Sequence, residues 1–403
     1  MRLMTTQDSF NTLAALLNLQ MSYQAFGAAP PETNSTISDI QDWTPVVETA
    51  LNHGVLALLA QLPQLCEPDV FPDDIKQALD VFTARQRQAN HGRFTELVKV
   101  IRHFEDSGIA TMAFKGPWLS QVVYGDLGMR TFWDLDVLVH RSDWEQAITL
   151  LRSEGFQCRD DLPPSLLRKY WAVNGQEVFW HNDSNEVVVE LHWAFVPTLF
   201  SINLDYDALF SRSQISRIEG DPIRHLEPED ELHYQCLHAS KEAFYQLRWS
   251  ADLAFYILSH PQLDWDIIWQ RARETNTLRI TALALEVMQR LFPAMRKHIT
   301  TQQIAPPDQP TLALADDIVR HLGDKESTEI PGMAFSNYRM RIREGFGDKL
   351  RYAWRTLVTP RPAHYLMLRL PRYLYPGYCL VKVLHDGFAL PLYKRWRSLF
   401  GNA

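Results

Sequence analysis

Cysteine is scarce in this 403-residue sequence: Cys66, Cys158, Cys236 and Cys379 lie far apart, and no two form a C-x-x-C pair. That spacing excludes a zinc knuckle and a disulfide framework, and reduced thiols are expected. Long apolar runs are also missing. No stretch approaches the ~18–20 uninterrupted apolar residues of a spanning helix, and the opening MRLMTTQDSF lacks the apolar centre of a secretory signal, so a cytoplasmic protein is expected. Neither a Walker A loop nor a Gly-x-Gly-x-x-Gly loop occurs, which argues against P-loop and dinucleotide chemistry, and the absence of a Gly-x-Ser-x-Gly elbow argues against a serine hydrolase.

Positive charge is in deficit overall, with 40 Lys and Arg against 48 Asp and Glu and a net charge of −8. Neutralising phosphates needs the opposite balance, so nucleic-acid binding is not indicated for the body of the chain. The average conceals an asymmetry. From Arg339 onward thirteen basic residues face three acidic ones, a tail of net +10 on a body of −18. Such a basic, aromatic tail has three readings: contact with an anionic membrane surface, contact with an acidic partner, or packing as helices on the acidic body.

Apolar content is ample. Hydrophobic residues make up 46% of the chain, with 12 Trp, 14 Tyr and 20 Phe, enough for roughly two or three folded units. Helical spacing runs through residues 8–65, interrupted by the loop AAPPETNSTISD, with Asp42 as a helix cap. A second helix is predicted from Asp73 to Asp106. The period then shortens. Ile109–Phe114 and Phe132–His140 read as buried strands, separated by a Lys115-Gly116-Pro117 break and a helix from Trp118 to Tyr124. Ser142 and Glu145 form the pattern of a capping box ahead of a helix ending at Gly155. Glu177–Trp180 and Glu186–Trp193 read as a hairpin. Helices return from Pro228 to Phe292, and the prolines near Ile304–Leu314 suggest a linker.

The predicted organisation is therefore an α+β fold in which a small mixed β-sheet core is flanked by helical regions. Its parts are an N-terminal helical region (1–105), the α/β core (106–215), a helical domain (216–300), a proline-containing linker (301–337) and the basic aromatic tail (338–403).

Side chains on a strand alternate faces, so in FWDLDVLV Asp134 and Asp136 project one way while Leu135, Val137 and Val139 project the other. In VVVELHW the same parity places Glu190 with His192, away from Val189 and Leu191. If the two strands are neighbours, three carboxylates meet, and their mutual repulsion calls for a divalent cation such as Mg2+, with Mn2+ as the alternative. The turn at Lys115-Gly116 opens a helix, whose N-terminus favours anions, and Lys115 and Arg130 could supply positive charge to a triphosphate. Each has a structural rival: Lys115 as the ion-pair partner of a carboxylate, and Arg130 as the residue that orients Asp134. His192 is expected behind the ligands rather than among them. His233 and His238, five apart, are expected to be packing residues, and Arg248 and Asp252 an ion pair on a helix surface.

These strings resemble a family. MAFKGPWLSQVVYGDLGMRTFWDLDVLVHRSDWEQAITLLRSEGF, then VVVELHW, then ELHYQCLHASKEAFYQLRWSADLAFYI are similar to a poorly characterised bacterial nucleotidyltransferase-like family of the DNA polymerase beta superfamily, over about residues 40–260. The resemblance implies a nucleotidyltransferase core in which Asp134, Asp136 and Glu190 bind catalytic metals, and Lys115 and Gly116 stand where the wider superfamily has Gly-Ser. It also implies NTP as donor and an acceptor that remains to be identified. The alternative is a catalytically inactive nucleotide-binding or scaffolding module, suggested by that replacement and by Glu in the third acidic position, with the basic tail 338–403 contacting a peripheral membrane surface or an acidic partner.

Overall fold

A computed structural model describes residues 5–158, 162–181, 187–299, 307–323 and 335–389. Its centre is a five-stranded sheet made of β1 (Thr111–Ala113), β2 (Asp134–Val139), β3 (Phe156–Gln157), β4 (Gln176–His181) and β5 (Val188–His192), in the order β1-β2-β5-β4-β3. β2 and β5 run parallel, and the other neighbours run antiparallel, so the sheet is mixed. The expected pairing of β4 with β5 is antiparallel, with Val178 opposite Glu190; the turn segment His181 to Asn185 lies largely outside the described residues.

Alternation decides which face is covered. Leu135, Val137, Val139, Val189, Leu191 and Phe179 point to the rear, where they meet Phe94, Leu97, Ile101 and Phe104 of the helix Asp73–Asp106 and Ile148 and Leu151 of the helix Trp144–Ser153. Met112, Phe114 and Leu138 point forward into a smaller cluster with Phe195, Phe210 and Tyr234. A hairpin of β6 (Gln214–Ile218) and β7 (Asp221–His225) turns through Glu219 and Gly220, both at positive φ (51° and 95°), the handedness that two-residue hairpin turns require.

Several local expectations need correction. Residues Thr33–Ser38, within the predicted loop, form a short helix. Ser142 does not cap: the helix starts at Trp144, Ser142 donates to the neighbouring Asp143 carboxylate (2.7 Å), and Glu145 is drawn to Arg168. Asp42 is not the cap either: Trp43 takes the N-cap position of the helix Thr44–Asn52, and Asp42, one residue earlier, accepts from the Thr44 N–H at 2.9 Å. The linker assigned to 301–337 contains the helix Gln309–Leu322, whose Leu314, Ala315, Ile318 and Leu322 are buried. Pro307 precedes that helix and Pro310 falls in its first turn, where the missing N–H costs no helical bond.

The division into separate N-terminal and C-terminal helical units also changes. Phe10, Leu13, Leu17, Val46 and Leu59 share one continuous core with Leu232, Leu253, Leu283, Met288, Ile318 and Tyr338. The boundary at 215/216 cuts through the β6–β7 hairpin. The tail is helical over Phe335–Arg341, Phe346–Val358, Pro362–Met367 and Tyr378–Leu384, and it enters the body at Tyr338, whose hydroxyl donates to the Ser240 carbonyl (2.8 Å). No helix among the described residues is long and apolar enough to cross a membrane.

Candidate active site

The parallel register of β2 and β5 places Asp136 directly opposite Glu190. Because both strands present their even-numbered residues forward, Asp136, Glu190 and His192 converge, each offering a ligand atom within 4.8 Å of the others. His192 Nε2 stands 3.1 Å from Asp136 Oδ1 and 3.3 Å from Glu190 Oε2. Lys115 Nζ donates to Asp136 Oδ1 at 2.9 Å, and Gln176 Nε2 donates to Glu190 Oε1. Asp136 and His192 are buried, at 3% and 2% exposure. Asp134 lies one step back on the same face at the start of β2, half-buried, about 7 Å along the strand and outside that trio.

Charge balance explains why so many ionisable groups can be buried together. Burial alone would lower the Lys115 ammonium, yet the carboxylates of Asp136, Glu190 and Asp134, with Tyr234, hold it well above the ordinary lysine range. Burial works to raise the carboxyl of Glu190, but the charge and hydrogen bond of His192 and the charge of Lys115 bring it down to about 2. His192 is raised in turn: burial opposes its charge, and Glu190 and Asp136 overcome that. Its Nδ1 is buried with no hydrogen-bond partner.

The turn before the helix Gly116–Tyr124 is bent sharply. Lys115 and Gly116 both take positive φ (54° and 43°), uncommon for a lysine, and a Cβ on Gly116 would stand 3.6 Å from the Asp134 carbonyl. This brings the first turn of the helix, with backbone N–H groups that lack helical partners, against the acidic end of β2.

Arg130 is placed differently from expectation. It is 5% exposed, and its Nε donates to Asp252 Oδ2 at 2.9 Å, while the Tyr124 hydroxyl donates to Asp252 Oδ1 at 2.7 Å. It therefore pairs with Asp252 and not with Asp134. Asp252 is correspondingly no surface residue: the helix Leu247–Ser259 is buried on most sides, so the i, i+4 partner Arg248 turns to the Thr131 carbonyl (2.9 Å) instead.

Three residues near the site escape sequence reasoning. Glu231, 1% exposed on the helix Pro228–Lys241, accepts from Gln235 at 3.2 Å, and burial pushes its carboxyl up to about 7 despite that bond and the charges of Arg130 and Lys115. Tyr234 packs edge-on against Phe114, and burial raises its phenol while Lys115 pulls it down. Gln176 holds Glu190. The signal lay in the string ELHYQ, where a helix sets Glu231 one turn from Tyr234 and Gln235. His233 bonds Thr277 Oγ1 (2.8 Å) and His238 lies between Tyr234 and Trp249, as packing residues do. Behind the sheet, a groove of about 1030 Å³ runs along the helix Asp73–Asp106 past Arg85, Arg93 and Lys99 to Trp133, which is 69% exposed and carries the Arg93 guanidinium 4.9 Å above its ring.

Residues 39–293, more than half of the chain and including every residue of the cluster, match the family described as an uncharacterised nucleotidyltransferase. The chain belongs to that family. It is thus a transferase of nucleotidyl groups, with an NTP as donor and a second substrate as acceptor. Among solved structures it is similar to the antibiotic-resistance factor ANT(2'')-Ia, at 12% identity and a TM-score of 0.31, over 45% of this chain and 92% of that one. No curated protein matches the sequence.

Proposed function

We propose that this nucleotidyltransferase depends on divalent metal and moves a nucleoside monophosphate from an NTP to an acceptor hydroxyl or phosphate. The observation that carries this reading is the convergence of Asp136, Glu190 and His192, with Asp134 on the same face, in a chain of this family. The donor set fits such an ion: carboxylate oxygens suit Mg2+, and the imidazole would also be accepted by Mn2+. Asp134, Asp136 and Glu190 would hold two ions, which when bound polarise the attacking oxygen and offset charge on the leaving pyrophosphate.

The protein's own groups do the rest. The acceptor oxygen bonds to the α-phosphorus, the bond from that phosphorus to the bridging oxygen breaks, pyrophosphate departs, and the acceptor proton passes to a carboxylate of the cluster. Lys115, which neutralises Asp136 in the structure, turns its charge to the phosphates, and the Gly116 turn brings backbone N–H groups near them. Arg130 supports the site through Asp252 and contributes positive charge from behind. His192 positions Asp136 and Glu190.

Asp136→Asn should abolish metal-dependent pyrophosphate release when the four NTPs are screened with Mg2+ or Mn2+ against cell extract. Equal turnover in that variant would sink the assignment. A second reading, a silent nucleotide-binding module, is favoured by the direct Lys115–Asp136 bond, which occupies a carboxylate that a metal needs. Calorimetry separates the two: metal-dependent NTP binding without pyrophosphate release across many acceptors supports the module.

A further inference from the structure

We propose that the tail docks this enzyme on an anionic bilayer surface through the outer face of the helix Phe346–Val358 and the adjoining segment 361–374. The helix has two opposed faces. Asp348 and Tyr352 turn inward and are buried, with Arg343 beside both, 4.9 Å from the Tyr352 ring, and Arg355 donates to the Thr198 carbonyl at 2.8 Å. At about 100° per residue, Phe346, Leu350, Trp354 and Leu357 fall on one stripe opposite that face. All four are exposed, Phe346 at 82% and Trp354 at 62%. Lys349 and Arg351 flank the stripe on either side, which is the arrangement of a helix lying in the plane of an interface.

The next segment continues the pattern, with Leu366, Met367, Leu368, Tyr373 and Leu374 exposed beside Arg369 and Arg372. It is held as a folded unit, because Asp386 gathers Arg361 (2.8 Å), His364 (3.1 Å) and Lys382 (2.5 Å), and the helix Tyr378–Leu384 packs on Phe346–Val358.

Charge complementarity selects the occupant. The tail from Arg339 holds three acidic residues, and each is engaged: Asp348 is buried near Arg343, Asp386 is held by its cations, and Glu344 accepts from the Arg279 N–H at 3.3 Å. The outward surface of the described tail therefore shows apolar and cationic groups with no free carboxylate, and Arg351, Arg369 and Arg372 have no acidic partner among the described residues. Exposed Phe, Trp and Tyr interleaved with Arg suit the headgroup boundary, and no helix among the described residues is long and apolar enough to cross a bilayer, so the contact proposed is peripheral.

The test is sedimentation of the full chain with vesicles of phosphatidylcholine alone or mixed with phosphatidylglycerol. Binding to the mixed vesicles only is expected, weakened about tenfold or more by Leu350→Asp with Trp354→Ser, and also by Arg369→Glu with Arg372→Glu. These side chains point outward, so the thermal midpoint of each variant should match the parent, which keeps loss of folding apart from loss of binding. Failure to bind either vesicle, equal binding to both, or wild-type binding by the variants would overturn the proposal. So would a dimer in light scattering that Leu350→Asp dissolves, since a second copy would then cover the face.

Discussion

Glu231, outside the acidic cluster and 1% exposed, is a carboxyl that burial pushes up to about 7. A carboxyl raised to about 7 binds its proton more tightly in the folded chain than in the unfolded one. The stability this provides is complete below the usual value of about 4.5 and is lost as pH rises through 7. The upper bound on that loss is about 3 kcal/mol, from the size of the shift. Glu231→Gln keeps the acceptor oxygen for Gln235 and removes the titration. Urea unfolding should show the variant equal to the parent near pH 4 and more stable than it at pH 8, by up to that amount. A gap that does not grow between those values would mean that the carboxyl is not held neutral by burial. At this same scale the shared faces were legible: parity alone put Asp134 with Asp136 and Glu190 with His192, though the groups that converge are Asp136, Glu190 and His192, with Asp134 one step back. The partners were not, because neither Gln176 nor Asp252 has a local pattern that points to the side chain it meets.

Elements explain that limit. A strand's period says which residues share a face, but the meeting of Asp136 and Glu190 also required β2 and β5 to be neighbours in one register, a fact set by side chains far apart in sequence. The same holds for Arg130, which joins the turn after the helix Gly116–Tyr124 to the helix Leu247–Ser259 through Asp252 and Tyr124. Spacing in the sequence offered Arg248 to Asp252, whereas burial of the helix gave it Arg130. Removing one member of a buried pair strands the other charge, at a cost of about 3–5 kcal/mol, while replacing both with apolar groups costs much less. Arg130→Met should therefore lower stability by that order in chemical denaturation, and Arg130→Met with Asp252→Leu should recover most of it. If Arg130 instead served the triphosphate directly, the double variant would regain stability and still show a raised KM for NTP. Pyrophosphate-release kinetics on the recovered protein decide between the two.

For the whole molecule, the fold class was legible because three strong periods, helical, alternating and helical again, follow one another along the chain. Domain boundaries were not. Prolines at 306, 307 and 310 read as a linker since proline interrupts a helix interior, but Pro310 sits where a helix tolerates it, and the helix it opens closes the hydrophobic core that Phe10 and Leu13 begin. The helical body therefore packs one continuous core from both ends of the sequence, and it is expected to unfold as one cooperative unit. Leu314 tests this, at 1% exposure on Gln309–Leu322 and in the same cluster as Leu17, Leu283 and Met288. Truncating a buried leucine to alanine costs about 2–5 kcal/mol through lost transfer energy and the cavity left behind. If the body is continuous, Leu314→Ala shifts the whole calorimetric transition downward as a single peak, and protection of amides in the N-terminal helix Thr6–Phe26 falls with it. A linker would respond otherwise: the main transition would stay in place, and amide exchange would quicken only within Gln309–Leu322.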